Sequence, residues 1–461
     1  MKKPVNPWIA YGLLVAVALF VISLVQGLGG NLEAPMGQGS AAPHGTARLQ
    51  SDLLFHVLLA LTAVMALGRL MGTLFRRLGQ PAVIGETLAG IMLGPSLMGR
   101  ILPEAGNYLF PGSVAPFLGV IAQIGIVLYM FQVGLELNAS EFKGRAKATF
   151  VISHASILVP FVLGALLAVW LYPRFSSRDI SFISFSLFIG VAMSITAFPV
   201  LARILDDTGM SRSSLGVMAL SCAAVDDATA WCLLAIVVGV AQSDAGAAVW
   251  VGLGLAAFIL AMFFGLRPWI LKFVGRHKSG PISQSAVALV LLGVLVSALC
   301  TEFIGIHAIF GAFLFGVLIP HDSTLALECE RKLKDLVAVL FLPAFFAFTG
   351  MRTQIGLLQG GQEWLACAGI VLVATLGKFG GASLAARYSG MGWRDSSALG
   401  ILMNTRGMVE LIVLNLGLDL RIISPTLFAM MVLMALATTL ATVPALRAFT
   451  PGVLPGAKGA A

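Results

Sequence analysis

The chain has 461 residues, of which 58% are hydrophobic and 11% charged, where a soluble domain carries about 25% charged side chains. Its recurring apolar runs are long enough to cross a hydrocarbon core about 30 Å thick, which excludes a nucleic-acid-binding protein, a secreted disulfide scaffold and a cytosolic enzyme. The net charge of +8 reads as a signature of orientation, because Lys and Arg gather on cytoplasmic loops of membrane proteins. Cys222, Cys232, Cys300, Cys329 and Cys367 are odd in number and include no CxxC, so they read as core packing.

In windows of about nineteen residues, spans are predicted at 8–28, 53–71, 81–98, 115–135, 149–171, 182–204 and 213–241 in the first half. The second half continues at 249–266, 284–302, 304–319, 336–350, 364–386, 395–417 and 425–446. The fold expected is an all-α polytopic membrane protein of about 13–14 transmembrane helices. Loop charge tests this count, since one missed helix would scramble the alternation. Lys2 and Lys3, Arg76 and Arg77, Lys143 to Lys147, Arg267 to Lys278, Arg331 to Lys334, and Arg447 with Lys458 all fall on one side. The opposite loops hold only Arg48, Arg100, Arg174, Arg178, Arg352 and Arg421. A multi-pass protein of the cell membrane with both termini cytoplasmic is expected. The first span reads as a retained helix, because its apolar run is longer than a signal peptide's; a cleaved signal is the alternative. Residues 29–51 read as a Gly-, Ala- and Pro-rich linker.

Weak internal matches recur at nearly constant offset. AGIMLG at 89–94 resembles FGAFLF at 310–315, GLELN at 134–138 resembles GMRTQ at 350–354, and Gly190 with Met193 aligns with Gly400 and Met403. Each matched pair runs in opposite directions through the predicted membrane, so two inverted six-helix repeats are expected, 53–241 and 284–446, joined by a linker helix at 249–266. The organisation is then 1–52 as N-terminal helix and linker, 53–446 as the transmembrane domain, and 447–461 as a short tail.

Ionisable residues at mid-bilayer are costly and few. SCAAVDDATAW places Asp226 and Asp227 in the middle of the span at 213–241. A carboxylate supplies hard oxygen ligands for an alkali ion and can exchange that ion for a proton. The bland alternative is a structural pair satisfied by a neighbouring base. Successive residues lie about 100° apart around a helix, so one acid can bind an ion while its neighbour meets a base. The candidate base is Lys378 in VATLGKFGG, about 12 Å inside its helix at 1.5 Å per residue, unless it snorkels to the interface. Arg406 and Glu410, four apart in MNTRGMVEL, suit a self-neutralising pair or a substrate contact equally.

SITAFPVLARIL places Pro199 inside one apolar span, and MNTRG places Gly407 inside its counterpart. Matched breaks point to a transporter binding site at two discontinuous helices, with unwound backbone offering carbonyls to a cation and Ser194, Thr196, Asn404 and Thr405 satisfying the rest. Paired packing kinks are the alternative. Asp206 and Asp207 read as a solvated helix end, Glu86 as a carboxylate near a helix N-terminus, and His154 and His307 as histidines satisfied by backbone.

With GETLAGIMLGP, SITAFPVLARIL, AAVDDATAW, GAFLFGVLIP and MNTRGMVELIVLNLGLD, residues 53–446 resemble the monovalent cation:proton antiporter superfamily, in particular the branch of plant cation/proton exchangers and bacterial potassium efflux antiporters. The resemblance implies Na⁺ or K⁺ exchange for H⁺, not enzymatic catalysis, and a homodimer whose six-helix core moves like an elevator. It implies that Asp227 is the ion- and proton-binding acid, that Asp226 is the partner of Lys378, and that the two helices cross around Thr196 and Asn404. Potassium efflux relatives carry a C-terminal nucleotide-binding domain, whereas this chain ends about fifteen residues after its last predicted span and has no GxGxxG. Nucleotide gating by an attached domain is therefore not expected, nor is any cofactor. Two rivals use the same acids. A gated cation channel would conduct without proton coupling, but no TVGYG-type filter is present. An intramembrane aspartyl protease needs acids from different helices, and these are neighbours on one.

Overall fold

A computed structural model describes residues 7–29, 53–136, 146–176, 180–211, 213–242, 245–276, 283–305 and 307–449. The predicted linker at 29–51 beyond Gly29, the basic residues Lys2, Lys3, Lys143, Arg145, Lys278 and Lys458, and the tail from 450 lie outside them. The described residues are helical, with no strand among them.

The helices of the first half are α1 (Pro7–Gly29), α2 (Leu53–Arg77), α3 (Ala82–Leu93), the short α4 (Met98–Ile101) and α5 (Pro103–Leu109), α6 (Ala115–Glu136), α7 (Ala146–Phe175), α8 (Phe182–Ser194), α9 (Phe198–Asp207) and α10 (Ser214–Gln242). Then follow α11 (Ala245–Leu260), α12 (Arg267–Arg276), α13 (Gln284–Ile304), α14 (Ala308–Leu318), α15 (Thr324–Leu336), α16 (Leu342–Arg352), α17 (Gly361–Tyr388), α18 (Trp393–Met403), α19 (Met408–Asp419) and α20 (Pro425–Phe449). Eleven helical stretches among the described residues are long and apolar enough to cross a membrane, and α8 and α14 are shorter apolar helices.

Several predicted spans extend by a turn or two, as 53–71 does to Arg77, and two extend much further. The span expected at 249–266 runs on to Arg276, and the one expected at 336–350 starts at Thr324. Both continue through a π-helical stretch, Ala261–Leu266 and Val337–Phe341. Each stretch ends just before a proline, Pro268 or Pro343. Proline has no N–H to give the carbonyl four residues back, so the ladder widens ahead of it: Arg267 N–H reaches Met262 O, and Leu342 N–H reaches Val337 O. Such a widening lets a helix pass a proline without stopping. Between α13 and α14 the chain does stop, where Gly305 takes the left-handed φ of 91° that favours glycine at a helix end.

The helices pack in two groups. In one, α3 lies against α2 and α16, α6 against α14 and α16, and α13 against α14. In the other, α7 lies against α8, α10 and α17, while α17 meets α18 and α20. Each sequence half contributes to both groups, and α11 touches α10 on one side and α13 on the other. The α3–α16 crossing is backbone to backbone: a Cβ on Gly90 would sit 2.5 Å from Ala347 Cα, and one on Gly350 would strike Ile91 and Gly90. Small residues at such crossings let helices associate through van der Waals contact where lipid offers no hydrophobic drive. The outer faces of α2 and α13 expose Leu54, Leu58, Leu70, Leu292, Leu299 and Phe303, as a lipid-facing surface requires.

Candidate functional site

Both interrupted helices break in mid-span. The first break covers Ile195 to Ala197, between α8 and α9, and places Pro199 in the first turn of α9, where its missing N–H costs nothing. The second covers Asn404 to Gly407, between α18 and α19. A side chain on Gly407 would run into Val200 and Ala197, so the breaks touch.

Broken helices leave backbone groups that must find partners in a region without water. Here each break satisfies the other. Ala197 N–H donates to Thr405 O at 3.0 Å, and Thr196 Oγ1 lies 3.1 Å from Met403 O, the end of α18, sharing its one proton between that carbonyl and the Asp226 carboxylate. In return Arg406 donates from one terminal nitrogen to Ala192 O at 3.0 Å and from the other to Met193 O at 2.6 Å. Those carbonyls close α8, where the helix dipole is negative and a cation is favoured. Thr439 of α20 completes the crossing by accepting from the Arg406 N–H at 3.0 Å and donating to Arg406 O at 2.7 Å.

Asp226 and Asp227 project from α10 beside this crossing, into different surroundings. Asp226 is fully buried and accepts from four donors. Ser153 Oγ reaches Oδ1 at 2.6 Å; Ser156 Oγ, Thr196 Oγ1 and Lys378 Nζ reach Oδ2 at 2.7, 2.8 and 2.8 Å. Lys378, from α17, is itself 0% exposed, so its amine stays in the core and does not snorkel. Asp227 is 2% exposed; no side chain hydrogen-bonds either carboxylate oxygen, and the Phe198 backbone N–H at the start of α9 is the donor that faces it.

A charge ledger separates the two acids. Among the described residues the fully buried formal charges are Asp226, Asp227, Lys378, Arg406 and Glu410. Lys378 pairs with Asp226, and Arg406 pairs with Glu410 at 2.9 Å along one face of the second break and α19. Asp227 is left over. Isolated buried charge is the costliest group to desolvate.

The remaining candidates divide. Thr196 joins both the Asp226 cluster and the crossing. Asn404 sits in the second break with its Oδ1 buried and unpartnered, an acceptor of the kind a cation uses. Thr405 contributes its carbonyl to the crossing and its hydroxyl to a long 3.5 Å contact with Thr442. Ser194 turns away, its one hydroxyl proton shared between Gly190 O at 2.6 Å and Ile157 O at 2.9 Å, so it lies between α8 and α7 and does not face the acids. Sequence reading did not identify Ser153 and Ser156, which clamp Asp226. Their i, i+3 spacing in an apolar span was the available signal, since it puts two hydroxyls on one helix face. His154 has Nδ1 at 2.9 Å from Phe150 O. Among the described residues no group of three or more His, Cys, Asp or Glu could hold a metal.

Known proteins place this architecture. The sequence model of the sodium/hydrogen exchanger transmembrane family matches residues 60–448. The chain is 43% identical over 400 residues to the Na(+)/H(+) antiporter NhaS4 of Synechocystis sp., covering 86% of this chain and 97% of that protein. It is 40% identical over 401 residues to Cation/H(+) antiporter 17 of Arabidopsis thaliana and 35% identical over 384 residues to K(+)/H(+) antiporter 1 of Saccharomyces cerevisiae. Those matches cover 86% and 80% of this chain but only 48% and 43% of the two longer proteins. In fold, the chain resembles the sodium proton antiporter MjNhaP1 from Methanocaldococcus jannaschii, with a TM-score of 0.64 at 14% identity over 88% of this chain and 100% of that one. The chain is a multi-pass helical membrane protein and belongs to the sodium/hydrogen exchanger transmembrane family.

Proposed function

We propose that the protein exchanges a monovalent cation, Na⁺ or K⁺, for protons, with Asp227 binding the two competitively. One observation carries the reading: Asp227 is the buried charge with no partner among the described side chains, while every other buried charge is paired. A carboxylate in that position is neutral only when a proton or a metal ion is on it, so release of one lets the other load. The resemblance to Na(+)/H(+) and K(+)/H(+) antiporters supports this cargo. Asn404 and the unwound backbone of the breaks supply further oxygens. Asp226 and Lys378 hold the site's shape as a paired second charge. If that pair opens when the cation loads, two protons move per cation and the cycle carries current; if it stays closed, exchange is one for one.

Exposure of the site alternates by movement of the group containing α7 to α10 and α17 to α20, to which α19 belongs through α8 and α20, against the group containing α2, α3, α6, α13, α14 and α16, in the manner of an elevator. The site-bearing helices are joined through the crossing and move together. The protein works as a homodimer in the cell membrane, with both termini cytoplasmic.

The test is proton movement from proteoliposomes on addition of Na⁺ or K⁺, with and without valinomycin. Wild type is expected to exchange, and Asp227→Asn to be inactive. Competition further requires the half-saturating cation concentration to rise about tenfold for each unit fall in pH within the range where protons already occupy the carboxylate. Unchanged exchange in Asp227→Asn, or cation saturation independent of pH, refutes the reading. A cation current without proton movement would mark a channel instead.

A further inference from the structure

Alternating access opens the gap between two helix groups at one end while the other end is closed. At the end opposite the basic loops, that gap is bridged by side chains on matched turns of α16 and α19. Thr349 and Arg352 lie three residues apart on α16, and Asn415 and Asp419 lie four apart on α19, spacings that put each pair on one helix face. Arg352 donates to Asp419 Oδ1 at 2.6 Å and, through its other terminal nitrogen, to Asn415 Oδ1 at 3.1 Å. Asn415 Nδ2 donates to Thr349 Oγ1 at 2.7 Å and to Leu411 O at 2.9 Å. The Arg352 guanidinium also lies over the Phe348 ring, 5.2 Å from its centroid.

The bridge is graded in depth. Thr349 and Asn415 are buried, whereas the Arg352 and Asp419 side chains are 24% and 40% exposed. An ion pair at such a rim is worth little alone. The buried amide–hydroxyl bond beneath it adds more, because parting it leaves polar groups unpaired away from water. Beside the bridge lies a cavity of about 30 Å³ between α6, α14, α16 and α19, lined in part by Gln123, His307, Phe345 and Asp419. That volume suits about two waters.

We infer that Thr349, Arg352, Asn415 and Asp419 form a latch that keeps this end of the gap shut and sets the share of molecules whose site faces the basic-loop side. The inference rests on the alternating-access reading above. None of the four touches the Asp226–Lys378 cluster or the helix crossing, so the latch acts on which side is open and not on ion binding itself.

Two experiments test it. Thr349→Cys with Asn415→Cys, in a background with the five native cysteines replaced, places two thiols where an amide and a hydroxyl now meet. Oxidation is expected to slow cation/proton exchange in proteoliposomes by about tenfold or more, with recovery on reduction, because a fixed link forbids the opening. Independently, Asp419→Asn is expected to lower the half-saturating cation concentration on the latch side by about fivefold and to raise it on the other side, since apparent affinity scales with the fraction of molecules open to that side. Arg352→Asp with Asp419→Arg is expected to restore both values. Cross-linked protein, verified by gel mobility, that exchanges at the reduced rate overturns the latch, as does Asp419→Asn with unchanged half-saturation on both sides. Absence of exchange in wild type and in the reduced cysteine variant overturns the antiport reading itself.

Discussion

Lys378→Met removes the ammonium that lies 2.8 Å from Asp226 Oδ2, with both side chains fully buried. The Asp226 carboxylate keeps the hydroxyls of Ser153, Ser156 and Thr196, which donate hydrogen bonds but bring no net charge. Removing one partner of a buried ion pair costs about 3–5 kcal/mol. With three donors retained, the loss expected here is near the lower figure, about 3 kcal/mol, or roughly a hundredfold in the folded-to-unfolded ratio at about 1.4 kcal/mol per decade. Asp226→Asn alone removes the acceptor that Lys378 contacts and leaves Asp227, outside ion-pair distance, as the charge nearby; it is expected to cost a similar amount. The double variant Asp226→Asn with Lys378→Gln carries no buried charge at this point and is expected to be more stable than either single variant, with a coupling of about 1–3 kcal/mol. Thermal unfolding of the detergent-solubilised protein, followed by fluorescence at fixed alkali salt, reads all four proteins under one condition. A double variant as unstable as the two single losses added together would show that the charges act independently, and the paired-cluster account of Asp226 would be wrong.

Asp227→Asn is expected to behave in the opposite way, keeping or gaining stability because it removes an unpartnered buried charge. Wild type should also be stabilised by its cation, by about 2.7 kcal/mol at a hundred times the dissociation constant; titration of the melting temperature with NaCl or KCl should show this in wild type and not in Asp227→Asn. Arg406→Lys retains the charge but lacks the planar fork that serves Ala192 O, Met193 O and Glu410 together, so a loss of about 1–3 kcal/mol and slowed exchange are expected in the same two assays. Gly350→Ala drives a methyl group into the α3 backbone, and overpacking of this kind costs about 1–3 kcal/mol; a melting temperature equal to wild type would contradict the close crossing.

Hydropathy located the helices well because each span is a property of its own residues. It did less well where a helix continues past its apolar stretch: the charged segment ECERKLKD reads as a loop, yet it is the helical start of the span leading to Arg352, held by Ser323 as N-cap and by the pairs Glu328–Arg331 and Glu330–Lys334. Pro199 marked the first interruption but not its position, since proline is comfortable just after a break and not within it. The different surroundings of Asp226 and Asp227 were legible from the 100° step between them. The hydroxyl clamp from α7, the Arg406 contacts to α8 and the bridge from Arg352 to Asp419 were not. Each joins residues 63 to 214 positions apart, and the rotation of one helix against a distant neighbour leaves no periodic trace in either sequence.

The reciprocal satisfaction of the two helix breaks has a bearing on how this protein can be recombined. Thr196 terminates α18, and Arg406 terminates α8, so the hydrogen bonds of each interruption are encoded in the other half of the chain. A chimera importing only one interrupted helix from a relative would inherit half of a lock without its key, even where the imported segment is well suited to its own parent. Exchange of both segments as a unit is the graft that preserves the crossing, and ion preference is better sought through such joint transplants than through either strand of the junction alone.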